Sequence, residues 1–492
     1  MTTNFKLNAK TEGKPFPHYW ETCVGSCHAY MGLREDWRSQ LKKAHDDMGF
    51  KYVRFHGLLD DRMSVFVKSP WTKKEAYSFY TIDSIFDFLL ENGMKPFVEL
   101  SYMPEALASG KETIFHYKAN ITPPSDYERW EELIRVLVQH LIDRYGLEEV
   151  RTWYFEVWNE PNLTGIFWTG TMEDYFKLYR HAVKAIKEVD DQLPVGGPAT
   201  SKNSWIPEFL AFCKETGTPV DFVSTHQYPS DEPLWRDEVR LEDFYTNGLS
   251  GFEELLKTYS FKRGVMQEMA LKSREEANGL PLYYTEWNAA YNNEYDEPST
   301  AVLAAKTIFD LDGVVDIYSF WTFSDLFEES QQSSVPFHNG MGLQTIYGTP
   351  KPTYRMFEML HKMGTTRLQV ECNVESTVEM AATREADQLK LMVYNHQVPN
   401  AVVQDEEVCI CVYEATSEKP AFIQRVDRDS ANPRKKWEEM GRPAYPNKEQ
   451  LAQLFEASVP KEEFIQPVST NDGFELRITV PAHGLVAITI EL

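Results

Sequence analysis

Along roughly the first 350 of 492 residues, one pattern recurs eight times. A short apolar run with strand character is followed by a longer run of helical period. The strand-like runs are "WETCVGSCHA", "KYVRFHGLL", "KPFVELSYMP", "RTWYFEVWNEPN", "LPVGGPA", "VDFVSTHQYP", "LPLYYTEWN" and "DIYSFWTFSD". Between them lie amphipathic segments such as residues 36–50, closed by Gly49, and residues 126–146, opened by Asp126 and closed by Gly146. A helix is expected over 252–269 on the same grounds. Strand–helix alternation makes the strands parallel, because each crossover returns the chain to the same end of the sheet. Eight such units predict a closed (β/α)8 TIM barrel. An open doubly wound sheet would carry a glycine-rich phosphate loop after its first strand. Here that strand runs into "VGSCHAYMG" instead.

Beyond residue 350 the period changes. "KPTYRMFEMLHKMG" reads as a last helix, and "TRLQVEC", "DQLKLMVYN", "EVCICVYE", "FELRITV" and "HGLVAITIEL" as short alternating strands. These predict a C-terminal β-sandwich accessory domain with a helical insertion near 435–458. The expected division is 1–15 as a segment joining the β-domain, 16–350 as the barrel and 351–492 as the sandwich.

The formal net charge of −25 repels phosphate backbones and disfavours a nucleic-acid partner. Aromatic residues make up 13%, which fits a large core and also suits stacking on sugar faces. The six cysteines form no CxxC pair, and no HExxH occurs, so neither a metal nor another cofactor is expected. The stretch "MTTNFKLNAKTEGKPF" has no apolar h-region, so no secretory signal is expected, and no run is long enough to span a bilayer. The expectation is a cytoplasmic protein with no membrane partner.

In TIM barrels the reacting groups stand at the C-terminal tips of the strands. "TWYFEVWNEPN" carries Asn159 and Glu160 to the tip of the fourth strand and then breaks it at Pro161. "YYTEWN" carries Glu286 to the tip of the seventh. Strands four and seven lie on opposite sides of an eight-stranded barrel. Their carboxylates would face each other, as glycosidic cleavage requires: one protonates the leaving oxygen and the other meets the oxocarbenium-like carbon. Other tips offer Arg54 and His56, His226 and Tyr228, and Trp321 with Glu328 and Glu329. Glu156 lies deeper and reads as a structural acid paired to Arg54 or Arg151. His56 and His226 read equally as buried core histidines or as site residues.

The set "RFHGLLDD", "WNEPN", "STHQY", "YYTEW" and "SFWTFSDLFEE" resembles glycoside hydrolase family 39, and within it the bacterial β-xylosidases. "ALASGKETIFHYKANITPP", "VGGPA", "TPKPTY" and "MGRPAYPNKEQ" extend the resemblance over nearly the whole chain. It implies a retaining glycosidase with Glu160 as acid/base and Glu286 as nucleophile. His56, Phe115, Asn159, His226, Tyr228, Trp321 and Glu329 would shape the sugar site. It also implies a small carbohydrate substrate and a homotetramer. Two stretches depart from the family pattern: "GSCHA", with Cys27 where glycine is usual, and "FHNGMGL" at 337–343. The alternatives are another family-39 activity (α-L-arabinosidase, β-galactosidase or α-L-iduronidase) or a catalytically silent carbohydrate-binding barrel. An iduronidase needs a cation for the sugar carboxylate, and Arg54 is the one obvious candidate, expected to be buried against carboxylates.

Overall fold

The computed structural model describes residues 2–235, 251, 254–329 and 333–492. Eight parallel strands close into a barrel: Cys23–His28, Tyr52–His56, Lys95–Leu100, Tyr154–Val157, Val195–Thr200, Phe222–Gln227, Leu282–Trp287 and Ile317–Phe320. Closure is made by Phe320 pairing with Val24. Helices such as Glu35–Met48 and Tyr127–Tyr145 return the chain with one face buried, whereas Pro298–Asp310 is buried nearly all round. Glu35–Met48 ends where Gly49 takes a left-handed φ of 73°, a conformation open to glycine. Tyr127–Tyr145 begins at Asp126, whose carboxylate accepts the N–H of Glu128.

The crossover between strands six and seven differs from expectation. Residues 252–253, where its helix was expected to begin, lie outside the described residues. Residues 254–258 are helical as expected, and a second helix runs from Val265 to Glu276, so the expected single span is broken in two. Residues 259–262 leave the helical path because Phe261 turns inward against Tyr291, with ring centroids 4.8 Å apart. The N–H of Lys262 is then given to Glu232.

The two ends of the barrel are unlike. Cys23, Phe97, Phe222, Tyr283 and Ile317 form a buried layer across the N-terminal end, flanked by Tyr52 and Tyr154. Phe222 stacks on Tyr283 at 4.6 Å. Aromatic burial of this kind, roughly 150–250 Å² per ring, plugs that end. The polar tip residues are therefore gathered at the other.

The C-terminal unit is a sandwich of a five-stranded and a seven-stranded sheet. Its core joins Phe5, Leu7, Ile410 and Ile478 from one sheet to Leu391, Val393, Ile488 and Ile490 from the other. Strand Thr3–Asn8 belongs to it, running parallel to Glu406–Tyr413. The run "TRLQVEC" splits into Thr366–Leu368 in one sheet and Glu371–Cys372 in the other. The longer strands Val378–Glu385, Ala421–Val426 and Glu462–Ile465 escaped the sequence pattern, as did the two-residue strands Lys14–Pro15 and Val468–Ser469. The insertion comprises two helices, Pro433–Glu439 and Lys448–Ala457. Phe309 of the barrel stacks on Tyr394 of the sandwich at 6.0 Å, and Arg263 pairs with Glu379 at 2.6 Å. Among the described residues no helix is long and apolar enough to cross a membrane.

Candidate active site

Arg54, at the tip of strand two, organises the bowl. It is wholly buried, so its donors must be answered by the protein. Its Nε donates to Glu156 Oε2 at 2.6 Å and its Nη1 to Glu286 Oε1 at 2.9 Å. Its Nη2 reaches Asn159 Oδ1 at 3.0 Å and Glu99 Oε2 at 2.9 Å. Of the two partners expected for Glu156, Arg54 is the one found. Arg151 pairs with Asp190 and Glu148 instead.

The tips of strands four and seven are bent to aim their carboxylates. Trp158 and Glu160 take positive φ, 71° and 44°. That region is costly for residues with a Cβ and persists where surroundings enforce it. In strand seven Thr225 is paired with Tyr284 but His226 with Glu286, so Thr285 is one residue too many. Such a bulge re-aims side chains, and here Thr285 and Glu286 both reach the bowl.

Glu286 has a donor on each oxygen: Arg54 on Oε1 and the Tyr228 hydroxyl on Oε2 at 2.9 Å. Glu160 is differently placed. Its Oε1 is 2.9 Å from His226 Nδ1, and its pKa is pushed up to about 7. Burial is the largest cause, with the charge of Glu99 adding to it; Arg54, Ser201 and Lys202 oppose. An oxygen of Glu160 and one of Glu286 lie within 4.8 Å of each other and of a His226 nitrogen. A cation could find ligands there, although Glu286 already has two donors and Glu160 favours its proton.

Both site histidines are buried and neutral. Burial brings His56 down to about 3 and His226 to about 4. His56 Nδ1 lies 2.6 Å from Glu99, and its Nε2 is 3.3 Å from Glu286 and 3.5 Å from Glu329. Burial and the charges of Glu286, Glu99 and Glu160 raise the Glu329 carboxyl well above the carboxylate range. Glu329 Oε1 and Asn159 Nδ2 are buried without a hydrogen-bond partner among the described residues. Trp321 lies beside His56 at 4.7 Å. Its ring presses on strand one at Gly25, where a Cβ would come within 2.4 Å of it. Phe115 stands one ring further out, meeting Phe167 at 5.9 Å, which in turn meets His56 at 6.2 Å.

Sequence reasoning missed four residues of this cluster. Glu99 and Ser101, on strand three and just past it, hold His56 and each other. Thr285 bridges His226 and Glu156. Lys202, just past strand five, is buried near Glu160 and Asp231. The lone acid in "PFVELS" was the available signal. Glu328 closes on His28 and Arg62, each at 3.4 Å.

The two departures from the family pattern are also placed. The Cys27 thiol is buried and donates to the Leu326 carbonyl at 3.2 Å, under the segment that carries Glu328 and Glu329. In the 337–343 loop, Gly342 lies so close to the Ser324–Asp325 backbone that a Cβ would approach to 2.2 Å. Phe337 is buried against Trp437 of the insertion at 5.6 Å.

A parallel eight-stranded barrel with tip carboxylates opposed across a polar bowl is the architecture of a glycosidase. The profile of glycosyl hydrolases family 39 matches residues 3–474. The chain belongs to that family. A β-xylosidase of Caldicellulosiruptor saccharolyticus is 48% identical over 479 residues, covering 96% of this chain and 95% of its own. A β-xylosidase of Geobacillus stearothermophilus is 35% identical, covering 99% and 95%. Among solved structures, a monomeric β-xylosidase of Caulobacter crescentus superposes with a TM-score of 0.85 at 30% identity, covering 99% of each chain.

Proposed function

We propose that this chain is a retaining, exo-acting β-xylosidase that releases xylose from xylo-oligosaccharides or xylosides, with Glu160 as acid/base and Glu286 as nucleophile. The observation that carries it is the pairing of two opposed carboxyls in unlike surroundings. Glu160 is buried and favours its proton; Glu286 receives donors on both oxygens. Their oxygens approach within 4.8 Å, on the retaining side of the division between about 5–5.5 Å for retention and about 6.5–9.5 Å for inversion.

In the first step Glu160 gives its proton to the glycosidic oxygen while Glu286 Oε2 or Oε1 bonds to the anomeric carbon and the aglycone leaves. In the second, Glu160, now a carboxylate, takes a proton from water as that water displaces Glu286 from the sugar. No external oxidant or reductant enters. Asn159 Nδ2 and Glu329, left with unused hydrogen-bonding capacity, are suited to sugar hydroxyls. Trp321 offers an apolar face, Phe115 a more distant one, and Tyr228 and His56 hold the nucleophile.

The choice of xylose is supported by the likeness to the two β-xylosidases. Against an iduronidase, Arg54 is fully occupied by four partners. Among the described residues Lys202 is a further cation near Glu160, so α-L-iduronide belongs in the test. The homotetramer stays part of this reading, although the Caulobacter crescentus relative is described as monomeric; light scattering decides it. Six unpaired cysteines favour a reducing compartment, the cytoplasm.

The test is hydrolysis of nitrophenyl β-D-xyloside, α-L-arabinoside, β-D-galactoside and α-L-iduronide, followed by anomeric NMR. We expect the xyloside to be fastest and β-xylose to appear first. A faster rival sugar overturns the substrate, and α-xylose appearing first overturns retention.

A further inference from the structure

We propose that the Thr285 hydroxyl is a positioning group: it locks His226 in the Nε2–H tautomer, so that the bare Nδ1 accepts the proton of Glu160. The inference rests on the reading of Glu160 as general acid and adds how its proton is held.

The argument is a count of donors and acceptors. Glu156 Oε2 already accepts from Arg54 Nε at 2.6 Å, which marks Glu156 as an acceptor. Thr285 Oγ1 lies 2.8 Å from Glu156 Oε1. A hydroxyl has one hydrogen, and only that hydrogen can make this bond. The Oγ1 lone pairs then face His226 Nε2 at 3.1 Å, so Nε2 must carry the imidazole hydrogen. A neutral imidazole has one N–H, which leaves Nδ1 bare. Nδ1 stands 2.9 Å from Glu160 Oε1, and that contact is a hydrogen bond only when Glu160 is protonated. The opposite tautomer would set a hydroxyl lone pair against Glu156 and would favour ionised Glu160. His226 and Thr285 are wholly buried, so water does not replace these bonds.

Other charged groups face the pair. Glu286 Oε2 is 3.7 Å from His226 Nδ1. Arg54, Glu156 and His56 also act on His226, and Arg54, Lys202 and Glu99 on Glu160. All of them stay in place when the Thr285 hydroxyl alone is removed. In the first chemical step the glycosidic oxygen competes with Nδ1 for the proton and takes it. The resulting Glu160 carboxylate faces a lone pair rather than a donor, which makes it a stronger base toward water in the second step.

The experiment compares Thr285→Val, which keeps the branched shape, with Thr285→Ser, which keeps the hydroxyl. In wild type, 15N NMR of the histidines should show His226 protonated at Nε2 and bare at Nδ1. In Thr285→Val the ring is free to donate from Nδ1 to ionised Glu160. The basic limb of kcat/KM on xylobiose should then move down by about one pH unit, about tenfold in rate above it. Thr285→Ser should restore it. Initial glycosylation by dinitrophenyl xyloside, which needs no acid, should change little. A wild-type His226 protonated at Nδ1 overturns the proposal even if Thr285→Val fails to fold. So does an unmoved basic limb in a folded Thr285→Val. If Glu160→Ala shows no dependence on leaving group, the acid assignment falls instead, and the two failures are thereby told apart.

Discussion

Arg54 Nη1 meets Glu286 Oε1 at 2.9 Å from inside a cluster in which the same guanidinium also binds Glu99, Glu156 and Asn159. The cation that steadies the proposed nucleophile is thus also what allows three acids to share one buried space. Lysine would keep the charge but lose the planar fork that serves four partners at once. Arg54→Lys should therefore lower stability by about 2–4 kcal/mol, at roughly 1–3 kcal/mol for each acceptor left unpaired. It should lower kcat as Glu286 loses its fixed aim. Urea denaturation and xyloside kinetics measure the two effects. An unchanged midpoint would show that the fork does not hold these acceptors together.

Glu286→Ala should abolish turnover on every glycoside, because among the described residues no other carboxylate in the bowl has its place. Glu99 and Glu156 lie deeper and are held by Arg54. Azide, small enough for the vacated space, should restore part of the rate and yield the inverted glycosyl azide. Product analysis by NMR checks it. Full activity in the variant removes Glu286 from the mechanism.

Stability should depend on pH through the same bowl. Burial lifts Glu160, Glu99 and Asp231 to about 7 each. Each keeps its proton in the fold where the unfolded chain would ionise near pH 4. The stabilisation they give is full below that value and is lost as pH rises through about 7. Glu160→Gln retains a hydrogen for His226 Nδ1 but has no charge to bury. Its Tm should match wild type near pH 5 and exceed it at pH 8, by the equivalent of about 1–3 kcal/mol. Equal differences at both pH values would show that burial does not hold that proton.

Much of this site was legible because TIM barrels turn a one-dimensional pattern into a place: a polar residue ending an apolar strand is at the C-terminal bowl. That logic finds His56, Glu160, His226, Glu286 and Trp321. It misses Glu99 because an acid inside "PFVELS" does not end its strand, yet its side chain points inward to Arg54. It misses Thr285 because an uncharged residue one place short of the tip carries no mark, although it shares the inward parity of Tyr283; the bulge, invisible to a period of two, then turns Glu286 into the bowl as well. In the sandwich, "TVEMAATRE" carries too few large apolar residues to show its alternation. It is a strand because Val378–Glu385 pairs along its whole length with Gln388–Asn395. Pairing partners distant in sequence made the remainder.

The most discriminating test concerns Glu160. A general acid matters in proportion to how poorly the aglycone leaves. A sugar hydroxyl departs badly without a proton, whereas dinitrophenolate departs readily. General acid help is typically worth about 10²–10⁴ in rate, or roughly 3–5 kcal/mol of barrier. Glu160→Ala should lose that much on xylobiose and yet form the glycosyl-enzyme quickly from dinitrophenyl xyloside. Its second step should be slow, because the residue that activates water is gone, so a burst of dinitrophenolate should precede a slow steady state. In wild type the acid must be protonated, so kcat/KM on xylobiose should fall as pH rises past about 7, the value to which burial lifts Glu160. That basic limb should be missing from the burst phase of the variant. Stopped-flow absorbance and steady-state rates across pH measure all of this. Equal losses on both substrates with no burst would leave Glu160 a structural residue, and its left-handed backbone at the tip of strand four would then need a purely structural cause.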